Sequence, residues 1–193
     1  YRKDPNVVYV SIEQGSRYNA STAYITRAAG LYRSNDRGRT WTFMSNWNPR
    51  PMYASQPTID PNDDQRIYML NAYSFSDDGG KTFTAPRTTT HGDDRFVWID
   101  PKDSRHVVKL DDGGIGISYD RGLRFLYVTS LPLSQYYRVA VDNAHPYNVY
   151  GGLQDNGCWV GPNAHWTAGG VLNEHWSRLC GGDGFFAVPD PRD

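Results

Sequence analysis

The sequence is poor in charge, in cysteine and in long apolar runs, and these shortages exclude several classes of protein. Charged residues make up 21% of the 193 positions, and 20 basic against 21 acidic residues leave a net charge of -1. This balance removes the sequence-wide electrostatic attraction that binding to nucleic acid or to an acidic membrane requires. No apolar run approaches the roughly 18 residues that a membrane-spanning helix needs. We therefore expect no nucleic-acid partner and no membrane span.

Turn-forming and aromatic residues are abundant instead. The chain contains 19 Gly and 12 Pro, together with 14 Tyr, 7 Phe and 6 Trp. Aromatic residues favour β-strands, and Gly and Pro mark turns. No segment has the sustained 3.6-residue apolar period of an amphipathic helix. The composition therefore predicts an all-β chain whose length suits one domain or part of a larger one.

An eight-residue motif occurs three times, beginning at Ser34, Ser76 and Ser118, so that successive copies start 42 positions apart. In such a motif the Ser and Asp side chains can bond the amides of the turn, and the Gly supplies its positive φ. The final aromatic ring can wedge between neighbouring sheets. We interpret the motif as structural, because a catalytic residue is rarely needed three times at equal spacing. Its shared positions are Ser34, Asp36, Gly38 and Trp41, then Ser76, Asp78, Gly80 and Phe83, then Ser118, Asp120, Gly122 and Phe125.

A second repeated element is an Asp-Pro-like turn followed by a β-rich run. It occurs at Asp60 and Asp100, between copies of the first motif, and at Asp142 and Asp190, after the third copy. Each unit then contains four short strands, and four strands per roughly 40 residues are the signature of β-propeller blades. We predict approximate blades at 4–55, 56–95, 96–137 and 138–183, and the first strand of a further blade at 184–193.

The eight-residue motif is identified as the Asp-box, or BNR repeat. The chain resembles sortilin/Vps10-like proteins and the large secreted bacterial BNR-repeat proteins that are labelled glycosyl hydrolases. It departs from their pattern at Arg124, where the box has Thr, and in the fourth unit, which has no box. The resemblance is carried further by His91-Gly92-Asp93, Trp98-Ile99-Asp100-Pro101, Asp111-Asp112-Gly113-Gly114, Gly151-Gly152-Leu153-Gln154-Asp155-Asn156-Gly157 and Gly181-Gly182-Asp183-Gly184-Phe185.

The resemblance implies a closed propeller of six or more blades, whereas we count about four blades and one opening strand. An open set of blades would leave exposed sheet edges. We therefore expect a segment of a larger propeller, completed by missing sequence or by another chain. The resemblance also implies an exported protein that is secreted, periplasmic or on the cell surface. Asn19-Ala20-Ser21 fits the N-glycosylation pattern, which is common by chance.

The segments that precede the predicted inner strands are expected to converge near the propeller axis. Asp93 and Asp183 are the candidate catalytic residues, because two suitably spaced carboxylates can hydrolyse a glycosidic bond. Asp and Gly at strand starts also serve turns whose amides need an acceptor, and we favour that interpretation. The candidate ligand-binding residues are His91, Asp94, Tyr136, Tyr137, Asp155 and Asn156.

Two cysteines leave two alternatives open: Cys158 and Cys180 form a disulfide in an oxidising compartment, or they are two buried thiols. The five His residues show no paired zinc spacing, and the Asp pairs lack the alternation of a calcium loop. We therefore predict no metal and no cofactor.

Three functions follow in order of preference. The first is a non-catalytic scaffold or binding module that recognises a protein partner or a glycan. The second is a xyloglucanase-like glycoside hydrolase that uses axial carboxylates. The third is an assembly factor or accessory subunit, because the blade pattern of this chain resembles that of propellers of the photosystem II assembly type. A groove with facing carboxylates would indicate the hydrolase, whereas an exposed apolar face would indicate the scaffold.

Overall fold

In a computed structural model, the described part of the chain comprises residues 1–13, 29–48, 55–70, 73–128, 130–131, 133–190 and 192. The Asn19 tripeptide lies outside these residues. The chain divides into two compact units, residues 1–129 and residues 130–193, and each is described by itself.

The first unit contains three antiparallel sheets whose strands follow one another in chain order. The first sheet is formed by β1 (Val8–Ile12), β2 (Gly30–Ser34) and β3 (Thr42–Ser45). The second sheet is formed by β4 (Pro57–Asp60), β5 (Asp63–Met69) and β6 (Ser74–Ser76). The third sheet is formed by β7 (Phe96–Ile99), β8 (Val107–Asp111), β9 (Gly114–Ser118) and β10 (Leu126–Val128).

The second unit contains the fourth sheet, also antiparallel and in chain order. It consists of β11 (Tyr136–Val141), β12 (Asn148–Leu153), β13 (Gly157–Pro162) and β14 (Ser177–Cys180). One short 3-10 turn, Asn173–His175, precedes β14. No α-helix occurs among the described residues. The prediction of an all-β chain built from consecutive blade-like sheets is confirmed.

The Asp-box turns follow the hydrogen-bond pattern expected from their residues. In the first copy, Ser34 Oγ donates to Asp36 and accepts from the Gly38 amide at 2.8 Å, while Asp36 accepts from the Thr40 amide and hydroxyl. The second and third copies repeat the serine contact at the same 2.8 Å. In the third copy Arg124 replaces Thr, and its Nε donates to Asp120 at 2.9 Å in place of the missing hydroxyl.

Two of the three box aromatics pack on the preceding sheet. Phe125 meets Tyr73 edge to face at 5.1 Å between centroids, and Phe83 stacks on Trp47 at 5.8 Å. Trp41 differs, because it is 42% exposed and its ring lies against Gly38 of its own turn. The core of the first unit surrounds the Phe125 contact and consists of Tyr68, Leu70, Tyr73, Phe75, Val97, Ile99 and Val107.

The segment after β14 departs from its prediction. Residues 184–190 form no strand, although the sequence pattern predicts the first strand of a further blade there. The segment lies on the fourth sheet, where the Gly184 amide donates to Leu153 O at 2.9 Å and Phe186 O lies 3.7 Å from the disulfide sulfur of Cys158. A strand needs a ladder partner for its amides, and these contacts satisfy only part of the segment.

Candidate functional site

The candidate site residues fall into two groups, one in each unit. His91, Asp93 and Asp94 precede β7 at one end of the third sheet. Tyr136 and Tyr137 begin β11, Asp155 and Asn156 form the β12–β13 turn, and Asp183 follows β14, all in the second unit. We call these groups the third-sheet cluster and the fourth-sheet cluster.

The third-sheet cluster is organised by a buried lysine. Lys109 of β8 is completely buried, and its ammonium forms ion pairs with Asp94 and, at 3.1 Å, with Asp111. Asp94 also accepts from the Tyr73 amide at 3.2 Å, and Asp111 accepts from the Tyr127 hydroxyl at 2.7 Å. A buried charge is tolerated when it is paired and hydrogen-bonded in this way. The cluster therefore satisfies its own charges internally.

Sequence reasoning missed Lys109, although a signal was present. Side chains alternate between the two faces of a strand, so Lys109 shares a face with buried Val107. A lysine on a core-facing position requires an acidic partner nearby. The ligand-binding prediction for Asp94 does not fit this arrangement, because its carboxylate is buried and shared between Lys109 and the Tyr73 amide.

The loop before β7 is tightly held against the β8–β9 hairpin. Asp93 has a φ of 59°, in the left-handed region that non-glycine residues rarely adopt. Arg95 closes the loop with a two-bond ion pair to Asp112, at 2.9 and 3.0 Å. Gly113 is required at the hairpin, because a Cβ there would collide with His91 and with the Tyr127 hydroxyl. Burial and the Asp111 carboxylate raise the pKa of Tyr127, which keeps that hydroxyl a proton donor.

The fourth-sheet cluster is built on the turn between β12 and β13. Asp155 has a φ of 59° in this turn, and its amide donates to Asp183 Oδ1 at 3.0 Å. The Gly157 amide donates to Gly182 O at 2.8 Å, so the segment after β14 is fastened to the turn at two points. A disulfide between Cys158 and Cys180, with Cα atoms 4.8 Å apart, joins β13 to β14 beside them.

Aromatic rings lie beside these carboxylates. Tyr137 stacks on Phe185 with centroids 4.7 Å apart, and the Arg138 guanidinium lies 5.7 Å from the Phe186 centroid. Tyr136 packs against Gly151, where a Cβ would meet its ring. Burial raises the pKa of Tyr137, and the charges of Asp183 and Asp155 raise it further. Both carboxylates therefore act electrostatically on the Tyr137 hydroxyl.

Asn156 contributes mainly through its backbone and its own turn. Its carbonyl accepts from Trp159 Nε1 at 2.8 Å, and its side-chain amide donates to Gln154 O at 3.0 Å. Both contacts stabilise the β12–β13 turn that presents Asp155.

The second unit exposes an apolar surface next to this cluster. Phe185 is 56% exposed, Phe186 66% and Val188 69%, and Tyr137, which stacks on Phe185, is 37% exposed. The sequence pattern placed Phe185 and Phe186 in the first strand of a further blade, and it gave no sign that Phe186 is exposed at the surface. We call this surface the apolar strip; it consists of Tyr137, Phe185, Phe186 and Val188.

Within the described part of the chain, no group of three or more His, Cys, Asp or Glu side chains is arranged to hold a metal ion. No helix among the same residues is long and apolar enough to cross a membrane.

No protein-family model matches the chain, and no curated protein matches it. The solved structures to which it is similar include a GH74 enzyme from Niastella koreensis, at 16% identity over 77% of this chain and 25% of that one, with a TM-score of 0.45. A GH74 xyloglucanase from Xanthomonas campestris is 16% identical over 83% of this chain and 28% of that one, with a TM-score of 0.47. YCF48 bound to D1 peptide is 11% identical over 71% of this chain and 46% of that one, with a TM-score of 0.42.

The chain therefore spans between a quarter and less than half of the length of each of these proteins. Similarities this distant say nothing about activity.

Proposed function

We propose that the chain is a non-catalytic β-propeller scaffold of an exported protein and that it binds another protein through the apolar strip. The exposure of the strip carries this proposal. Its four side chains lie at the start of β11 and in the segment after β14, and Phe186 and Val188 are each about two-thirds exposed. Proteins that remain monomeric rarely expose contiguous apolar patches of this kind, so an apolar patch marks an interaction site.

The composition of the strip favours a protein ligand. Aromatic residues and arginine are enriched in the centres of protein interfaces. The strip contains Tyr137, Phe185 and Phe186, and Arg138 lies beside the Phe186 ring. A large apolar surface with one cation at its edge matches such a centre better than it matches the many hydroxyl groups of a sugar.

The state of the carboxylates supports binding over hydrolysis. Asp183 accepts a hydrogen bond from the Asp155 amide, and Asp93 lies in a left-handed turn that precedes β7. A glycosidase needs one carboxyl group that carries a proton and a second that faces it across the scissile bond. An Asp that forms a tight turn, or whose carboxylate accepts from a turn amide, serves structure instead.

The disulfide supports export. Such bonds persist in oxidising compartments and are rare in the cytosol. The Cys158–Cys180 bridge therefore favours a secreted, periplasmic or cell-surface protein.

The hydrolase alternative is tested directly with xyloglucan and β-glucans. We expect no turnover above the rate of a heat-inactivated sample. Turnover that falls by orders of magnitude in both Asp93→Asn and Asp183→Asn, with the folded state intact, would replace the scaffold by a hydrolase.

Protein binding is tested by affinity capture from the exported fraction of the source cells. We expect a defined partner that the wild-type chain retains and that Phe186→Ser does not. Leu172→Ser is the matched control, because Leu172 is also exposed but lies outside the strip. A glycan that binds the wild type and not Phe186→Ser would keep the site and change the class of ligand. Equal capture by all three proteins would contradict the proposed site.

A further inference from the structure

The fourth sheet lacks an Asp-box, and a longer connection takes its place. In the third sheet the box joins β9 to β10, whereas in the fourth sheet residues 163–176 join β13 to β14. We call residues 163–176 the fourth-sheet loop. Its sequence contains His165, His175 and Glu174, and it contains no lysine, arginine, aspartate or tyrosine. Two imidazoles and one carboxylate are therefore its titratable side chains.

The two imidazoles of the fourth-sheet loop stack face to face. Their ring centroids are 3.8 Å apart, and the ring planes differ by 20°. The His175 side chain is only 13% exposed, while His165 covers it from the solvent side and is exposed itself. Among the described residues, Glu174 is the one carboxylate that forms an ion pair with either ring, with Oε1 3.8 Å from Nε2 of His175. The two rings therefore share a single counter-charge.

The inner ring accepts a hydrogen bond from the backbone. The Leu172 amide lies 2.9 Å from Nδ1 of His175, and an amide N–H can only donate. Nδ1 of His175 therefore carries no proton, and the neutral ring has its proton on Nε2. The His175 amide donates in turn to Leu172 O at 3.0 Å. Two hydrogen bonds thus close this end of the loop, and one of them requires an unprotonated Nδ1.

The outer ring has the same arrangement at a longer distance. Nδ1 of His165 lies 3.3 Å from both the amide and the hydroxyl of Thr167. The hydroxyl donates its own proton to Gly170 O at 2.7 Å, so the amide is the donor that faces Nδ1. The Gly170 amide donates back to Thr167 O at 2.9 Å. Both imidazoles therefore act as acceptors for the turns of the loop.

A proton on Nδ1 is incompatible with these contacts. An imidazolium ring has an N–H group on both nitrogens and no acceptor, so the Leu172 amide would face a second donor. Two imidazolium rings stacked 3.8 Å apart would also repel each other, and Glu174 can offset only one of the two charges. The closed loop therefore binds fewer protons than an open one, and acid favours the open loop.

The Asp-box turns of the other sheets withstand acid. Burial raises the pKa of Asp78 and Asp120, but hydrogen bonds within their turns outweigh burial and lower each pKa to about 2. The hydroxyl and amide of Thr40 likewise lower the pKa of Asp36 to about 2. These carboxylates keep their charge between about pH 5 and pH 8, where an imidazole gains its proton. Acid in this range therefore acts on the fourth-sheet loop and leaves the boxes intact.

Each histidine has a tryptophan beside it in the sequence, so opening would move two indole rings. Trp176 packs on Gly161 of β13, where a Cβ would meet its ring at 2.5 Å. Trp166 is fully exposed. The closed loop thus fixes one tryptophan on the sheet and holds the other in the solvent.

We propose that the fourth-sheet loop is an acid-sensitive switch, in which protonation of the His165–His175 pair breaks the amide contacts to their Nδ1 atoms and opens the loop. The Asp-box turns stay closed in the same range of pH. The switch moves Trp166 and leaves the strands paired, because the Cys158–Cys180 disulfide still joins β13 to β14.

NMR of the wild-type chain tests the proposal. At about pH 8 we expect His175 as the tautomer with its proton on Nε2. Below that pH, the protection of the Leu172 amide against hydrogen exchange, corrected for the pH dependence of exchange itself, falls by about tenfold per pH unit for each proton taken up on opening. The Arg124 amide, which donates to Asp120 in the third box, is the internal control and keeps its protection.

A variant separates the charge of the ring from its hydrogen bond. His175→Asn places an amide oxygen where Nδ1 accepts, so the Leu172 amide stays protected and its pH dependence disappears. His145→Asn is the matched control, because it removes an exposed imidazole outside the loop, and it leaves the pH dependence unchanged. The amide signals of β12 verify the fold of both variants.

Three results would each overturn the proposal. The first is a proton on Nδ1 of His175 at about pH 8. The second is a Leu172 amide whose protection is the same at pH 8 and at about pH 5 in the wild-type chain. The third is a folded His175→Asn chain in which this amide is unprotected at pH 8 or still loses its protection in acid.

Discussion

The third and fourth sheets carry their candidate residues at corresponding places in the repeat, yet the two ends are built differently. The third-sheet cluster buries a lysine between two aspartates and closes its loop with an Arg95–Asp112 ion pair. The fourth-sheet cluster replaces this charge network with a stacked Tyr137–Phe185 pair beside a disulfide. The third sheet also has an Asp-box, which the fourth sheet lacks.

The difference shows two ways to hold an irregular loop on a blade. Buried ion pairs fix geometry only when every charge has its partner, and removing one partner is costly. A disulfide and aromatic stacking instead fix the loop covalently and by packing, which leaves Phe185 and Phe186 exposed. The first arrangement suits a structural end, and the second is the end at which we propose binding.

The largest effect is expected from a substitution that breaks the charge network of the third sheet. Lys109→Met leaves Asp94 and Asp111 buried without a counter-charge, and we expect a loss of about 3–5 kcal/mol in the free energy of unfolding. Urea unfolding measures it, and Lys102→Met is the exposed control. A loss of less than about 1 kcal/mol would show that the network is not a stabilising unit.

The next largest effect is expected when the Cys158–Cys180 disulfide of the fourth sheet is removed. The disulfide closes a loop of 22 residues, and on the chain-entropy model Cys180→Ser lowers the free energy of unfolding by roughly 3 kcal/mol. The cysteines of the wild-type protein should resist alkylation until a reductant is added. Rapid labelling of both thiols in unreduced protein would show that no disulfide holds the fourth sheet, and the contrast with the ion pairs of the third sheet would be lost.

A smaller effect concerns the Asp-box that begins at Ser118, which the third sheet contains and the fourth sheet lacks. Asp120 accepts from the Ser118 hydroxyl and from the Leu123 and Arg124 amides. We expect Asp120→Ala to cost about 1–2 kcal/mol of unfolding free energy through the lost turn hydrogen bonds. Thermal unfolding measures it. Asp78→Ala should behave alike in the second sheet, and a loss confined to one of the two would contradict a common structural role.

The smallest effect is an acid titration of the box. Burial by itself raises the pKa of Asp120, but hydrogen bonds from Arg124 and Ser118 lower it to about 2. Because the folded-state pKa lies below the unfolded one, the stabilisation is present above about pH 4 and disappears as the pH falls toward 2. Carbon-13 NMR titration of the carboxyl group reads the pKa directly. A midpoint at its ordinary value near 3.8 would contradict the hydrogen-bonded geometry.

The sequence predicted the repeated parts of the fold because their causes are local. The Ser, Asp and Gly of each box lie within a few residues of one another, and their turn hydrogen bonds need no distant partner. Phe83 and Phe125 were expected to wedge against a neighbouring sheet, and they pack on Trp47 and Tyr73. The candidate site was less predictable, since Lys109 matters only because Asp94 and Asp111 meet it in space.

The residues alone determined the all-β class, the blade period and the box turns, because short-range hydrogen bonds and alternating side chains are encoded in neighbouring positions. Tertiary structure decided that Asp94 is buried, that residues 184–190 lie on the fourth sheet without forming a strand, and that Phe185 and Phe186 are exposed. These outcomes depend on contacts between residues far apart in the chain. The free energy of burying or pairing a group is set by what surrounds it, and a linear pattern does not contain that information.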